Sequence, residues 1–262
     1  MKKYVNLFVF VFMIGACLSQ GRAQTKSAVS YKNPVVDIAM PDPTVIKAAD
    51  GYFYVYATES TRNVPIMKSK NLVQWTYCNT AFTNKTRPRF EPKAGIWAPD
   101  INYINNKYVL YYAMSVWGGE QTCGIGVATA DSPQGPFTDH GKMFRSNEIG
   151  VQNSIDPSFL QYEGRNYLVW GSFRGIYVIE LTEDGLSLKP GAEKKRIAGT
   201  AFEAAYIHKH GDYYYMFASI GSCCRGVEST YKVVVGRSKK VWGPYKDKSG
   251  KPMLKNGYSL VI

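Results

Sequence analysis

Four stretches of this sequence open in the same way. "DPTVIKAADGYFYVYATES" begins at Asp42, "DINYINNKYVLYYAMS" at Asp100, "DPSFLQYEGRNYLVWGSF" at Asp156 and "EAAYIHKHGDYYYMFASIGS" at Glu203. Each starts with an acid and runs through three or four mostly apolar residues. Each then reaches a polar turn: Asp50-Gly51, Asn105-Asn106, Glu163-Gly164 or Gly211-Asp212. An aromatic-rich run follows and ends in small residues. Two strands about a turn of this kind form a hairpin. The intervening segments "IMKSKNLVQWTY", "GIGVATADSPQGPFTDH", "GIYVIELTEDGLSLKP" and "KVVVGRSKKVWGPYKDK" each read as a third strand, a turn and a shorter fourth. Four strands per unit of roughly 40 to 50 residues is the signature of a β-propeller blade. The fold class expected is therefore all-β, with about four blades.

This periodicity gives the acids a meaning. The first strand of every blade lines the central axis, so equivalent positions at one end of those strands converge. Asp42, Asp100, Asp156 and Glu203 are expected to form one cluster of carboxylates. A lone acid at a strand end needs no explanation beyond a capping role. Four packed together repel one another and raise their pKa values, which points to function.

Composition agrees. The chain has 20 Tyr, 12 Phe and 24 Gly and lacks a long helical run of Ala, Leu, Glu and Lys. Residues 1–24 pair a basic start (Lys2, Lys3) with an apolar stretch from Val5 to Ile14, too short for a bilayer span, and read as a bacterial export signal. Cleavage after Ala23 is one reading; the other makes Cys17, in "IGAC", a lipidated first residue and the chain's membrane anchor. Residues 33–262 are then the folded domain of an exported protein, expected to be a monomer. The remaining cysteines, Cys78, Cys123, Cys223 and Cys224, make neither a disulfide framework nor a zinc spacing. The "CC" pair reads first as two small buried thiols in a loop and second as a vicinal disulfide. The net charge of +12 comes from scattered Lys and Arg ("KSKNL", "EKKR", "RSKK"), a solvated basic surface rather than a nucleic-acid-binding stripe. Such a surface also favours encounter with an acidic polysaccharide such as pectin.

Clustered carboxylates with only three histidines leave two chemistries: a hard-metal site, or glycoside hydrolysis by an acid and a base. No G-x-S-x-G elbow, P-loop or G-x-G-x-x-G is present. Aromatic residues beside the acids (Trp97, Trp117, Phe173 and Tyr206) favour sugar, whose C–H faces stack on rings.

At these residues a resemblance emerges. "PDPTVI", "WAPDI", "NSIDPSF" and "FEAAYI" resemble the blade-opening motifs of glycoside hydrolase family 43, and "GSCCRGVESTYKVVVGRSKKVWGPY" resembles its endo-arabinanases. The resemblance runs from about Asn33 to the end. It implies a five-bladed propeller and an inverting enzyme that cuts α-1,5-linked L-arabinan, a side chain of pectin. Exo-acting arabinofuranosidases or β-xylosidases of the family, or a sugar-binding propeller without activity, are the alternatives. It implies that Asp42 is the general base and Glu203 the general acid, with Asp156 positioning Glu203 and, as an anion, holding its pKa high. An inverting pair needs room for a water, so Asp42 and Glu203 are expected roughly 6.5–9.5 Å apart. Sugar contacts are implied for Asp100, Trp97, Trp117, Gly118, Asn153, Ser154, Ile155, Gly171, Ser172, Phe173 and Tyr206. No cofactor is implied for the chemistry. Two departures stand out. Ala205 replaces the usual proline after the acid. The chain also ends about one blade short of five, without the axial histidine that similar enzymes use for a calcium or water.

Overall fold

The computed structural model describes residues 30–262; the expected export segment and Cys17 lie outside the described residues. The hairpins form where the turn chemistry puts them. Asn105 and Asn106, with φ of 46° and 63°, and Glu163 and Gly164, with φ of 49° and 72°, are two-residue loops with both φ positive. Their twist matches that of the strands they join.

Four antiparallel sheets of four strands result. Blade one holds β1 (Thr44–Lys47), β2 (Phe53–Tyr56), β3 (Pro65–Ser69) and β4 (Thr76–Thr80). Blade two holds β5 (Gly95–Ile104), β6 (Lys107–Ser115), β7 (Gly124–Ala130) and β8 (Thr138–Arg145). Blade three holds β9 (Ser158–Tyr162), β10 (Arg165–Trp170), β11 (Ile176–Glu180) and β12 (Lys195–Ala198). Blade four holds β13 (Glu203–His210), β14 (Tyr213–Ile220), β15 (Lys232–Ser238) and β16 (Ser259–Leu260). Two fourth strands lie later than the sequence indicates. "LSLKP" contributes a single bridge, Leu181 to Leu188, and "YKDK" another, Lys246 to Arg237, before the outer strands form at 195–198 and 259–260.

The first strand of each blade is a sheet edge, and these edges gather: β1 lies beside β5, β5 beside β9, and β9 beside β13. The blades hold together through apolar residues on facing sheets. Tyr54, Tyr56 and Ile66 pack with Ile96, Leu110 and Tyr112 between blades one and two. Val109, Tyr111 and Val127 pack with Leu168, Trp170 and Ile179 between blades two and three. Ile176, Val178 and Ile197 pack with Phe202, Ile207 and Met216 between blades three and four. Burial of these side chains supplies most of the favourable energy of the fold.

One charged pair sits within this apolar packing. The Arg87 guanidinium donates to both carboxylate oxygens of Glu59, to Asn63 Oδ1 (3.1 Å) and to the Ala94 carbonyl (2.8 Å). Glu59 also accepts the N–H groups of Asn63 (2.8 Å) and Ile96 (3.0 Å), tying blade one to β5. Burial alone would raise the Glu59 pKa; Arg87 and the two N–H donors outweigh it and hold the carboxyl below its ordinary value. Removing one partner strands the other without a counter-charge. Arg87→Ala is therefore expected to cost about 3–5 kcal/mol of unfolding free energy in urea titration. A loss under about 1 kcal/mol would mean the pair is solvated like a surface bridge.

Candidate functional site

The geometry at the head of each first strand is set by one residue in the left-handed region. These are Asp42 (φ 49°), Ala98 (φ 41°), Asp156 (φ 59°) and Ala204 (φ 51°). Each is followed by a residue suited to extended backbone: Pro43, Pro99, Pro157 and Ala205. The strained residue redirects the chain into the strand, and in blades two and four the ladder slips there, between Trp97 and Asp100 and between Glu203 and Tyr206.

This alignment corrects the expected equivalence of the four acids. Asp42 and Asp156 occupy the same position. Asp100 lies two residues deeper, level with Thr44, Ser158 and Tyr206, and Glu203 lies one residue earlier. Three acids still meet. Burial pushes the Asp156 carboxyl well above its ordinary value, and the neighbouring carboxylates of Glu203 and Asp42 push it further; the Ala204 N–H, 3.2 Å from Oδ2, opposes them. The upward shift thus falls on Asp156, where an anion beside a protonated Glu203 was expected.

Each of the other two acids has a dedicated hydroxyl. Thr58 Oγ1 donates to Asp42 Oδ2 at 2.5 Å and accepts the Ala98 N–H at 2.6 Å. Ser172 Oγ donates to Glu203 Oε2 at 2.6 Å and accepts from Asn153 Nδ2 at 2.8 Å. In both cases the accepted bond orients the hydroxyl so that its proton points at the carboxylate. Glu203 Oε1 is left for other partners. Glu203 is only 8% exposed, whereas Asp42 opens to solvent. Gly171 allows Ser172 its place: with φ at 130°, a Cβ there would stand 2.2 Å from the Gly175 carbonyl oxygen.

The remaining expected residues divide by location. Trp97 and Trp117 meet at 5.4 Å between ring centroids, and Trp117, 78% exposed, stands at the rim beside exposed Gly118. Phe173 is half-buried, with its N–H on the Phe202 carbonyl. Tyr206 is exposed, its phenol pKa raised by burial and then by Asp100. Ser154 and Ile155 face inward instead. The Ser154 hydroxyl is committed to the Val151 carbonyl and the Trp170 ring N–H, and Ile155 packs with Ala113 and Cys123.

Asp100 is a staple. It accepts the Phe159 N–H of blade three (2.7 Å), the Asn102 amide (2.8 Å) and the Thr44 hydroxyl of blade one (3.4 Å). Sequence reasoning missed Thr58 and Tyr231. The Tyr231 phenol, raised by burial and by the Glu203 and Asp156 carboxylates, faces the acids from the loop before β15. A hydroxyl partner carries no sequence signal of its own. Tyr231 stands in the "STYK" that leads into β15, where nothing in the letters marks it from the chain's other tyrosines. The same loop corrects the first reading of the "CC" pair: Cys223 and Cys224 are joined as a disulfide, and Cys224 is exposed. Among the described residues no group of three or more His, Cys, Asp or Glu is arranged to hold a metal ion.

Comparison with known proteins places this arrangement in a lineage. Residues 31–259 match the sequence profile of glycosyl hydrolases family 43. An extracellular endo-α-(1→5)-L-arabinanase of Bacillus subtilis (strain 168) is 38% identical over 234 residues, covering 84% of this chain and 71% of that protein. An extracellular exo-α-(1→5)-L-arabinofuranosidase of Cellvibrio japonicus (strain Ueda107) is 34% identical over 249 residues, covering 84% of this chain and 70% of that one. The solved α-L-arabinanase of Cellvibrio cellulosa superposes with a TM-score of 0.78 at 33% identity, over 86% of this chain and 78% of the other; a second structure of it holds arabinohexaose.

The Asp100 site predicts a pH effect of definite sign. Burial raises its pKa from 3.8 to about 6 against the three donors. A folded value above the unfolded one stabilises the protonated form. That contribution is complete below about pH 3.8 and is lost as pH rises through about 6. Urea titrations between pH 4 and 7 should show wild type losing stability relative to Asp100→Asn as pH rises. Parallel curves would mean that Asp100 is no more buried in effect than an ordinary carboxylate.

Proposed function

The chain belongs to glycosyl hydrolase family 43, and on that premise we propose that it hydrolyses α-1,5-linked L-arabinan from within, as an exported monomer acting without a cofactor. The observation that carries the reading is the meeting of Asp42, Asp156 and Glu203 at one end of the axis, with Asp156 raised by both of the others. Export rests on the sequence of residues 1–24 and on relatives described as extracellular. No helix among the described residues is long and apolar enough to cross a membrane.

On this reading Asp42, solvated and held by Thr58, takes a proton from a water that attacks the anomeric carbon. Glu203 gives its proton to the departing glycosidic oxygen, and the C–O bond breaks with inversion. Because Ser172 donates to Oε2, the transferable proton sits on Oε1. Asp156 beside it, its own carboxyl raised by burial and by the neighbouring carboxylates, adds the repulsion that favours a proton in this part of the site. Afterwards Asp42 releases its proton to solvent and Glu203 is reprotonated. Trp97 and Trp117 provide apolar faces for arabinose rings at the rim.

Two experiments test this. With debranched arabinan, Glu203→Gln should lose about 10²–10⁴-fold in kcat. Proton NMR of the first wild-type product should show the inverted anomer as oligosaccharides accumulate. Retained configuration would contradict the mechanism, and release of arabinose alone would favour the exo-acting reading that the Cellvibrio japonicus relative represents. Thr58→Val and Ser172→Ala should each lower kcat by about 10–100-fold, the worth of a hydrogen bond to a charged group, with KM little changed. Thr58→Ser and Ser172→Thr should restore most of it.

A further inference from the structure

We propose that the end of blade four remote from the acids binds a polyanionic polysaccharide through its carboxylates, at a site separate from the axis. Arg237, Lys239, Lys246 and Lys248, from β15 and the turn that follows it, line one open groove of about 290 Å³ with Tyr213 and Asp247. Arg237 and Lys246 exchange both backbone hydrogen bonds at 2.9 Å, so they stand directly opposite on adjoining strands with side chains on one face. Like charges so placed repel and cost stability. None of the four cations has an ion-pair partner among the described residues. The one acid in the groove is outnumbered by the four cations, and Asp247 Oδ1 is held by the Ser249 N–H (2.9 Å) and hydroxyl (2.7 Å) and the Lys251 N–H (2.8 Å) of its own turn.

The groove lies far from the chemistry. Glu203 opens β13, whereas Tyr213 pairs with His210 at that strand's other end. Seven residues of strand separate them by about 23 Å. A ligand here would leave the axis open.

The chemistry of the ligand follows from the groove. Each exposed cation–carboxylate contact is worth no more than about 1 kcal/mol, so a small free anion is not retained, but a polymer with repeating carboxylates engages several at once. Nucleic acid fits less well. Its single strands need exposed rings on which bases stack, and the Tyr213 ring is already covered by Arg237 at 4.4 Å and Lys239 at 5.8 Å. Arg237 itself stays exposed, and a guanidinium fork suits a bidentate carboxylate.

Affinity electrophoresis of the full chain in gels containing sodium polygalacturonate tests the site. Wild type should be retarded, and retarded less as salt rises. Arg237→Glu/Lys246→Glu and the milder Arg237→Gln/Lys246→Gln should bind about tenfold or more weakly, the glutamine pair with a melting temperature no lower than wild type because the repulsion is relieved, and both with unchanged hydrolysis of debranched arabinan, a neutral chain. Lys85→Glu/Lys194→Glu, matched in charge change but remote, should behave as wild type. Equal retardation of the groove and control variants would overturn the site in favour of net charge alone. Equal or stronger retardation by single-stranded DNA at matched charge would overturn the polysaccharide assignment. Loss of arabinan hydrolysis by wild type itself would count against the proposed enzyme and leave the electrophoresis interpretable.

Discussion

The innermost strand of every blade has an edge with no strand beside it, and its N–H groups need acceptors. The acids and hydroxyls of the axis supply them, each blade accepting from the next. Thr44 takes the Ile101 N–H, Thr58 the Ala98 N–H, Asp100 the Phe159 N–H and Asp156 the Ala204 N–H. An acid at the start of a buried strand is therefore a structural answer before it is a chemical one. The same contacts that register the blades also aim the carboxylates, so the site is as rigid as the ring of strands that carries it.

That double use has an electrostatic cost, and the protein meets it unevenly. Asp42 stays in solvent, where a charge is cheap. Asp156 is buried against two other acids, and its carboxyl is pushed well above its ordinary value. Asp100, deeper on the axis, receives three donors and is still raised to about 6, because burial exceeds what they return. Glu59, also shielded from solvent though less deeply, moves the other way because Arg87 is beside it. The axis contains no such cation among its described contacts. It is a place where carboxyls are allowed to repel.

The four-strand repeat and its hairpin turns were legible because periodicity and turn chemistry are local. The outer strands of blades three and four were less so: β12 and β16 are short, carry little alternation and form only where the preceding chain permits. The convergence of Asp42, Asp156 and Glu203 followed from topology. Their exact levels did not, since a one-residue offset depends on which residue takes the left-handed conformation, and Ala98 and Ala204 give no sign of it in the letters. Ser154 and Ile155 show the limit of carrying a motif over whole: beside Asn153 and Asp156 in sequence, they point into the core. The groove on blade four was invisible because Lys246 reaches Arg237 only through a bridge that the folded chain creates.

Endo- and exo-acting relatives match this chain at similar identity, so residues common to the hydrolytic step do not set the cutting pattern. What can differ is the wall of the funnel. The loops joining second to third strands all emerge at the acid end: 57–64, 116–123, 171–175 and 221–231. Here blade three contributes the shortest, turned tightly at Gly171 and Gly175, while blades two and four raise Trp117 and the Cys223–Cys224 turn on either side of it. The short loop leaves blade three the least chain with which to close its side of the funnel, and an internal segment of polymer lying across the acids needs one such side left open. A pocket for a chain end would need that side blocked. The length of the 171–175 loop, and what stands at its tip, is thus where internal and terminal cleavage would part.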